Sequence, residues 1–220
     1  MPPRISGNDP LHAQGYRTQR AELPEDLWQP LYDRVNYPAA GAASLSFFST
    51  PRGGNATLIT GVAAAAAKVK DLRDTNMDNS NVVPTKMYKF VGISLAFINQ
   101  IPGTVGALTA NDAADRDRVR NNAYFRFRIV DKDLLFLPLV AIPEVNPFVV
   151  ASTVVNNSSV LGSAGGGGAN VSMYRLPIPI TLNPYENFSI EINLSAAVAL
   201  SGAQSMDIYV IMQGFMRRPT

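Results

Sequence analysis

The chain has 220 residues, of which 46% are hydrophobic and only 16% charged, with a formal net charge of +2 and no cysteine. This length suits one β domain with extensions, and the composition excludes disulfides, thiol nucleophiles and cysteine metal sites. The charge balance does not mark a nucleic-acid binder, and so few charges suit a subunit whose flanks are covered by neighbours.

Residues 1–42 read as an extended, proline-rich arm. Pro2, Pro3, Pro10, Pro24, Pro30 and Pro38 are spaced so that no long helix or strand is predicted there. Leu23, Leu27, Trp28, Leu31, Tyr32 and Val35 punctuate the arm as apolar hooks, and Pro24 to Trp28 suggest one helical turn. Met1 to Pro10 lack the apolar core of a signal peptide, and no apolar run approaches the ~20 residues of a membrane span, so cytosolic synthesis is expected. Removing residues 1–36 is expected to leave a folded sandwich.

Strand signals begin at Ser44. Leu45 to Ser49 form a short strand ending in the turn cluster Thr50 to Asn55. Thr57 to Val62 read as a second strand, whereas Ala63 to Ala67 favour helix by propensity. Met87 to Ile98 predict a long strand with Val91, Ile93, Leu95 and Phe97 on one face. Asn111 to Arg120 predict a helix capped by Asn111 and acidic at its start.

In the next strand Phe125, Phe127 and Ile129 point inward, with Arg126 and Arg128 outward. Leu134 to Ile142, Val149 to Val155 and Val171 to Ile180 follow as strands, and Gly165 to Gly168 read as a flexible loop. Phe188 to Leu194 alternate apolar and polar without a fault, and Met206 to Met212 nearly so. Period-two alternation means a strand with one face on a core and one in solvent. Eight or nine antiparallel strands with one or two short helices predict an all-β sandwich of two sheets over residues 43–220. The loops at 101–122 and 162–170 are expected to decorate one end of it.

Chemistry is poorly supplied. The single histidine, His12, lies in the arm, where nothing positions an imidazole rigidly. Glu22, Glu25, Glu144, Glu186 and Glu191 read as solvated carboxylates rather than a hydrolytic pair. Asp74 to Ser80 place side-chain oxygens at alternate positions, as a calcium loop does. The loop glycine and the bidentate glutamate are replaced by Asn79 and Thr85, so a polar loop is the reading. The basic groups Arg4, Arg17 and Arg20, then Lys68, Lys70 and Arg73, then Arg217 and Arg218 are sparse, and read first as solubilising charges and inter-subunit pairs. No catalytic, cofactor-binding or metal residue is assigned.

The arm followed by Ser44 to Ser49, the long strand Met87 to Ile98, the segment Arg175 to Ile190 and the closing strand Ile208 to Phe215 together carry a likeness. Over residues 43–216 the pattern resembles a single jelly-roll viral capsid protein of a small tailless icosahedral bacteriophage. The resemblance implies eight strands in two facing sheets and self-assembly as a homo-oligomer into a virion shell, put together in the host cytoplasm around a genome. Its partners would be copies of itself, other virion proteins, and a genome or internal membrane touched by the arm or the C-terminal arginines. The rival expectations are a carbohydrate-binding β-sandwich using Tyr124, Tyr185 and Tyr209, and a fibre or surface-layer subunit that donates a strand.

Overall fold

The computed structural model describes residues 25–60, 65–98, 110–145, 150–155, 158–163, 173–201 and 205–218. Among them the chain forms, in order, β1 (Glu25–Trp28), β2 (Leu31–Tyr37), β3 (Ser44–Phe47), β4 (Asn55–Ile59), β5 (Ala65–Val69) and β6 (Met87–Ile98). The helix α1 (Ala110–Asn122) leads into β7 (Ala123–Ile129) and β8 (Lys132–Pro138), then a 3-10 turn at Leu139–Ala141. β9 (Val150–Val155), β10 (Ser158–Ser163), β11 (Tyr174–Leu182), β12 (Phe188–Leu194) and β13 (Met206–Arg218) complete the described chain.

These strands make two principal antiparallel sheets. In the first, β13 lies beside β6 and β6 beside β11, while β1 and β2 pair end to end with the free edge of β13. The break between β1 and β2 falls at Gln29-Pro30, where proline supplies no N–H for the ladder. The second sheet has the order β3-β12-β7-β8. Two hairpins, β4–β5 and β9–β10, stand outside both sheets.

The strict alternation of Phe188 to Leu194 becomes β12, buried at every second residue. Its inner face, with Phe47, Phe125 and Phe127, meets Phe90, Ile93, Leu95, Phe97, Ile208 and Val210 of the first sheet in one core. The Phe90 and Phe127 rings join the two sheets with centroids 6.2 Å apart, and Phe127 stands edge-on to Phe188. Burying one such aromatic contributes ~1.5–3 kcal/mol, so the facing phenylalanines hold the layers together.

Several expectations are corrected by these contacts. Val91 does not share the inward face of Ile93, Leu95 and Phe97. In the ladder Gln213 pairs with Gly92 and Gly214 with Phe90, so Val91 is an extra residue in β6. Such a bulge reverses the phase of a strand. Tyr88 and Phe90 point inward before it, and Ile93, Leu95 and Phe97 after it. Ala65 to Ala67 form β5 rather than helix, because pairing with β4 overrides alanine's propensity. Leu134 to Ile142 do not form one strand, since β8 ends at Pro138. Ser158–Ser163, unassigned from sequence, forms β10.

Part of the stretch read as an arm is a strand of the first sheet. β2 pairs with β13 from Tyr37↔Met206 to Leu31↔Met212. Deleting residues 1–36 would therefore remove most of an integral strand, and any test of the arm has to end before β1. The helical turn expected at Pro24 to Trp28 is β1 from Glu25 onward. Residues 1–24, and most of the loops expected at 101–122 and 162–170 apart from α1, lie outside the described residues. The helix runs two residues past its expected end, and the side chain of its expected cap, Asn111, lies outside the described side chains.

Candidate functional site

The charges of β2 alternate about the plane of the first sheet, because successive strand residues point to opposite sides. Asp33 shares its side with Val210 and Leu31, whereas Arg34 shares the outer side with Tyr209 and Asp207. Arg34 donates to Asp207 Oδ2 at 2.7 Å, to Asp74 Oδ1 at 3.0 Å and to the Ile59 carbonyl at 2.8 Å. Asn36 and the Ile59 amide also donate to Asp207, and Lys68 donates to Asp74 at 2.6 Å. Asp33 accepts from Lys70 Nζ and from the Phe48 amide, both at 2.7 Å. Burial pushes the Asp33 carboxyl up, against the pull of the Lys70 ammonium.

These contacts make a clamp. Each buried carboxylate has its cation and its amide donors in place. Together they hold the β4–β5 hairpin over the outer side of β2 and β13, and hold residues 74–76 along the free edge of β2. There Thr75 bridges Asp33, and the Asn76 side chain accepts from the Tyr32 amide. A covered edge cannot recruit a foreign strand.

The same contacts settle where the polar loop Asp74 to Ser80 directs its oxygens. Asp74 faces Arg34 and Lys68, Asn76 faces β2, and Asp78 pairs with Arg52. Among the described residues no three His, Cys, Asp or Glu side chains converge as metal ligands. Lys70 and Lys68, read as exposed basic charge, are partners of Asp33 and Asp74, and Arg73 pairs with Asp71. Arg217 pairs with Asp26 across β1 and β13. His12, Glu22, Arg4, Arg17 and Arg20 lie outside the described residues.

One glutamate read as solvated is buried. Glu144 sits beside β6 and faces Arg120 Nη1 at 3.0 Å and Arg116 Nη1 at 3.7 Å, both on α1. The signal missed in sequence was the repeat of arginine at 116 and 120, one helical turn apart on the same face. Burial pushes the Glu144 carboxyl up; Arg120 and Arg116 oppose this, and Asp117 adds to it. A carboxyl whose folded pKa is raised binds its proton more tightly folded than unfolded, so ionising it costs stability as pH rises. Glu144→Gln removes that titration. Wild type is therefore expected to gain stability relative to the variant as pH falls through the window extending upward from the ordinary value of 4.5. Urea unfolding at a series of pH values measures it, and a relative loss on acidification would show the arginine pairs outweighing burial.

Glu186 bonds Asn183 within the turn before β12, and Glu191 lies near Arg126 on the outer side of the second sheet. The three tyrosines proposed as a sugar platform occupy three different places. Tyr124 packs on Phe136 outside the second sheet, with ring centroids 4.6 Å apart. Tyr209 lies beneath Arg34 on the outside of the first, and Tyr185 is exposed in the β11–β12 turn.

Among the described residues, apolar side chains are exposed on both outer faces. Outside the second sheet Phe136 is 64% exposed and Val130, at the β7–β8 turn, 63% exposed. Val130 also has a φ of +52°, a conformation unfavourable to a β-branched residue. Outside the first sheet Trp28 stands edge-on to Phe215 at 4.9 Å, beside a groove of about 570 Å³ whose walls include Val91, Lys89, Pro179 and Arg217. Ile178, between Pro177 and Pro179, is 80% exposed where β11 loses register with β6. Prolines on an edge strand remove donors and blunt strand-to-strand addition.

No known protein family matches the chain, and no curated protein matches it at a significant level.

Proposed function

We propose that this protein is a single jelly-roll capsid subunit that assembles with copies of itself into the closed shell of a small tailless icosahedral phage. The observation that carries the reading is the nested strand pairing. Among the described residues nine strands build the two sheets, and β1 continues the edge line of β2 along β13. Setting β1 aside, the first of the other eight (β2) pairs with the eighth (β13) and the second (β3) with the seventh (β12). The third (β6) pairs with the sixth (β11), and the fourth (β7) with the fifth (β8). Alternate pairs lie in alternate sheets, the arrangement expected of one long hairpin of four strand pairs rolled up on itself, and this supports the jelly-roll reading.

Jelly rolls also serve lectins and cupin enzymes, so the fold alone does not select a function. The surfaces favour assembly. A cupin centre needs clustered histidines, and the chain has one, His12. A sugar platform needs aromatics on one face, and Tyr124, Tyr185 and Tyr209 lie apart. Exposed aromatic and aliphatic side chains on both outer faces, in a chain with few charges, suit burial against neighbours.

Sedimentation and negative-stain imaging of the purified protein test the reading. Closed particles are expected; filaments would favour the fibre reading, and a lone protomer at every concentration would overturn both. Ile178→Asp provides a sharper arm. A substitution this exposed shifts protomer stability by only ~0.5 kcal/mol. It is nevertheless expected to abolish assembly, and shells of normal yield from it would remove Ile178 from the contact surface.

A further inference from the structure

The β4–β5 hairpin covers only one half of the outer side of the first sheet. The other half, where Met87 to Val91 run beside Phe215 and Arg217, is the floor of the groove. Phe215 lines its apolar side, with Trp28 edge-on against that ring, and Asp26, paired with Arg217, lines it close to where the described chain enters the sheet. Residues 1–24 precede that point.

The dimensions select the occupant. Three strand spacings of ~4.8 Å give a floor roughly 15 Å wide, and five residues along β6 give a length of about 17 Å. That is on the order of 250 Å², well short of the ~800 Å² per partner that a standard protein interface buries. A flat face of a second copy would need far more surface than the groove offers. An extended segment of five or six residues spans about 17–20 Å and fits it.

We infer that the groove beside Trp28 receives residues 1–24 of a neighbouring copy. The segment carries Ile5, Leu11, Tyr16 and Leu23 as apolar anchors for a groove walled by Val91, Pro179 and Phe215. Its charges, Asp9 and Glu22 against Arg4, Arg17 and Arg20, do not select the occupant, since Arg217 is already paired with Asp26. Its 24 residues reach up to ~80 Å when extended, about twice the ~40 Å width of a domain this size. A segment of that reach can enter a neighbour's groove without having to reverse onto its own sheet. The inference rests on the assembly reading and names one contact within it.

Trp28 is the chain's single tryptophan, so its fluorescence reports on this groove. The full chain, a chain lacking residues 2–20, and full-length Val91→Arg, which fills the groove, are compared for acrylamide quenching across protein concentration. Assembly is followed by imaging of the same samples. In the assembled full chain Trp28 is expected to emit further to the blue and to quench several-fold less than in either variant. Dilution to protomers should abolish that protection.

Equal protection in the truncated chain would overturn the inference, since another surface would then cover Trp28. Protection that persists in dilute protomers would overturn it too, by placing the segment in its own groove. Shells with a fully quenchable Trp28 would overturn this contact alone and leave the assembly reading standing. Failure of the full chain to assemble at any concentration, with Trp28 unprotected, would overturn both.

Discussion

Asp207→Ala is expected to destabilise the protein by about 3–5 kcal/mol, the usual consequence of removing one partner from a buried ion pair. Asp207 is fully buried and accepts from Arg34, Asn36 and the Ile59 amide. Its loss leaves the Arg34 guanidinium with Asp74 as its one remaining carboxylate, beside the Ile59 carbonyl, and leaves a backbone N–H of β4 without its acceptor. Because Asp207 lies on the closing strand and Ile59 on the hairpin, the effect reaches beyond one contact. Amide exchange in Asn55–Ile59 and Ala65–Val69 is expected to accelerate more than in β12, whose ladder the change does not touch. Denaturant melts give the total and exchange gives its distribution. A loss under 1 kcal/mol, with hairpin protection unchanged, would show that apolar packing holds the hairpin. A double variant, Arg34→Met with Asp207→Leu, should recover part of the stability, since uncharged residues need no partner.

Gly214→Ala is the second large effect. A Cβ at this position would stand 2.9 Å from the Phe90 Cα and closer still to the Lys89 carbonyl oxygen. Both obstacles are backbone of the central strand β6, which cannot yield without opening the ladder. Gly214 also accepts from the Gln29 amide at the break between β1 and β2. The bulge thus brings three strands together at one residue without a side chain. Overpacking of a rigid site costs about 3 kcal/mol. Gly92→Ala is the control: its Cβ would meet chiefly the flexible side chain of Met173, with the Tyr174 carbonyl oxygen at 3.1 Å, and a smaller loss is expected. Thermal unfolding of the two variants side by side decides the matter. Equal losses would mean that the bulge is free to relax.

Strands that carry their own alternation were legible in the sequence. β12 and β6 have the bounds their periodicity predicts, and the inward Phe125 and Phe127 are fully buried. What failed to read were features that depend on a partner. Val91 turns outward only because β13 pairs past it, and the alanines of β5 are a strand only because β4 lies beside them. Of the candidate contact surface, Trp28 was legible as an apolar anchor. Ile178 was not, because nothing in an apolar residue between two prolines says that its side chain is left unburied.

Side-chain periodicity is a local property of the backbone, so the sequence alone determined that this is a β protein with Phe125 and Phe127 on an inner face and a helix between the strands that became β6 and β7. Which strands neighbour one another, that Asp33, Asp74, Asp207 and Glu144 lie buried with their cations, and that the β4–β5 hairpin lies over only part of one outer face were decided only in the tertiary structure. Pairing and burial are relations between segments as far apart as Arg34 and Asp207, and a linear pattern carries no information about which distant charge will arrive to satisfy a given one.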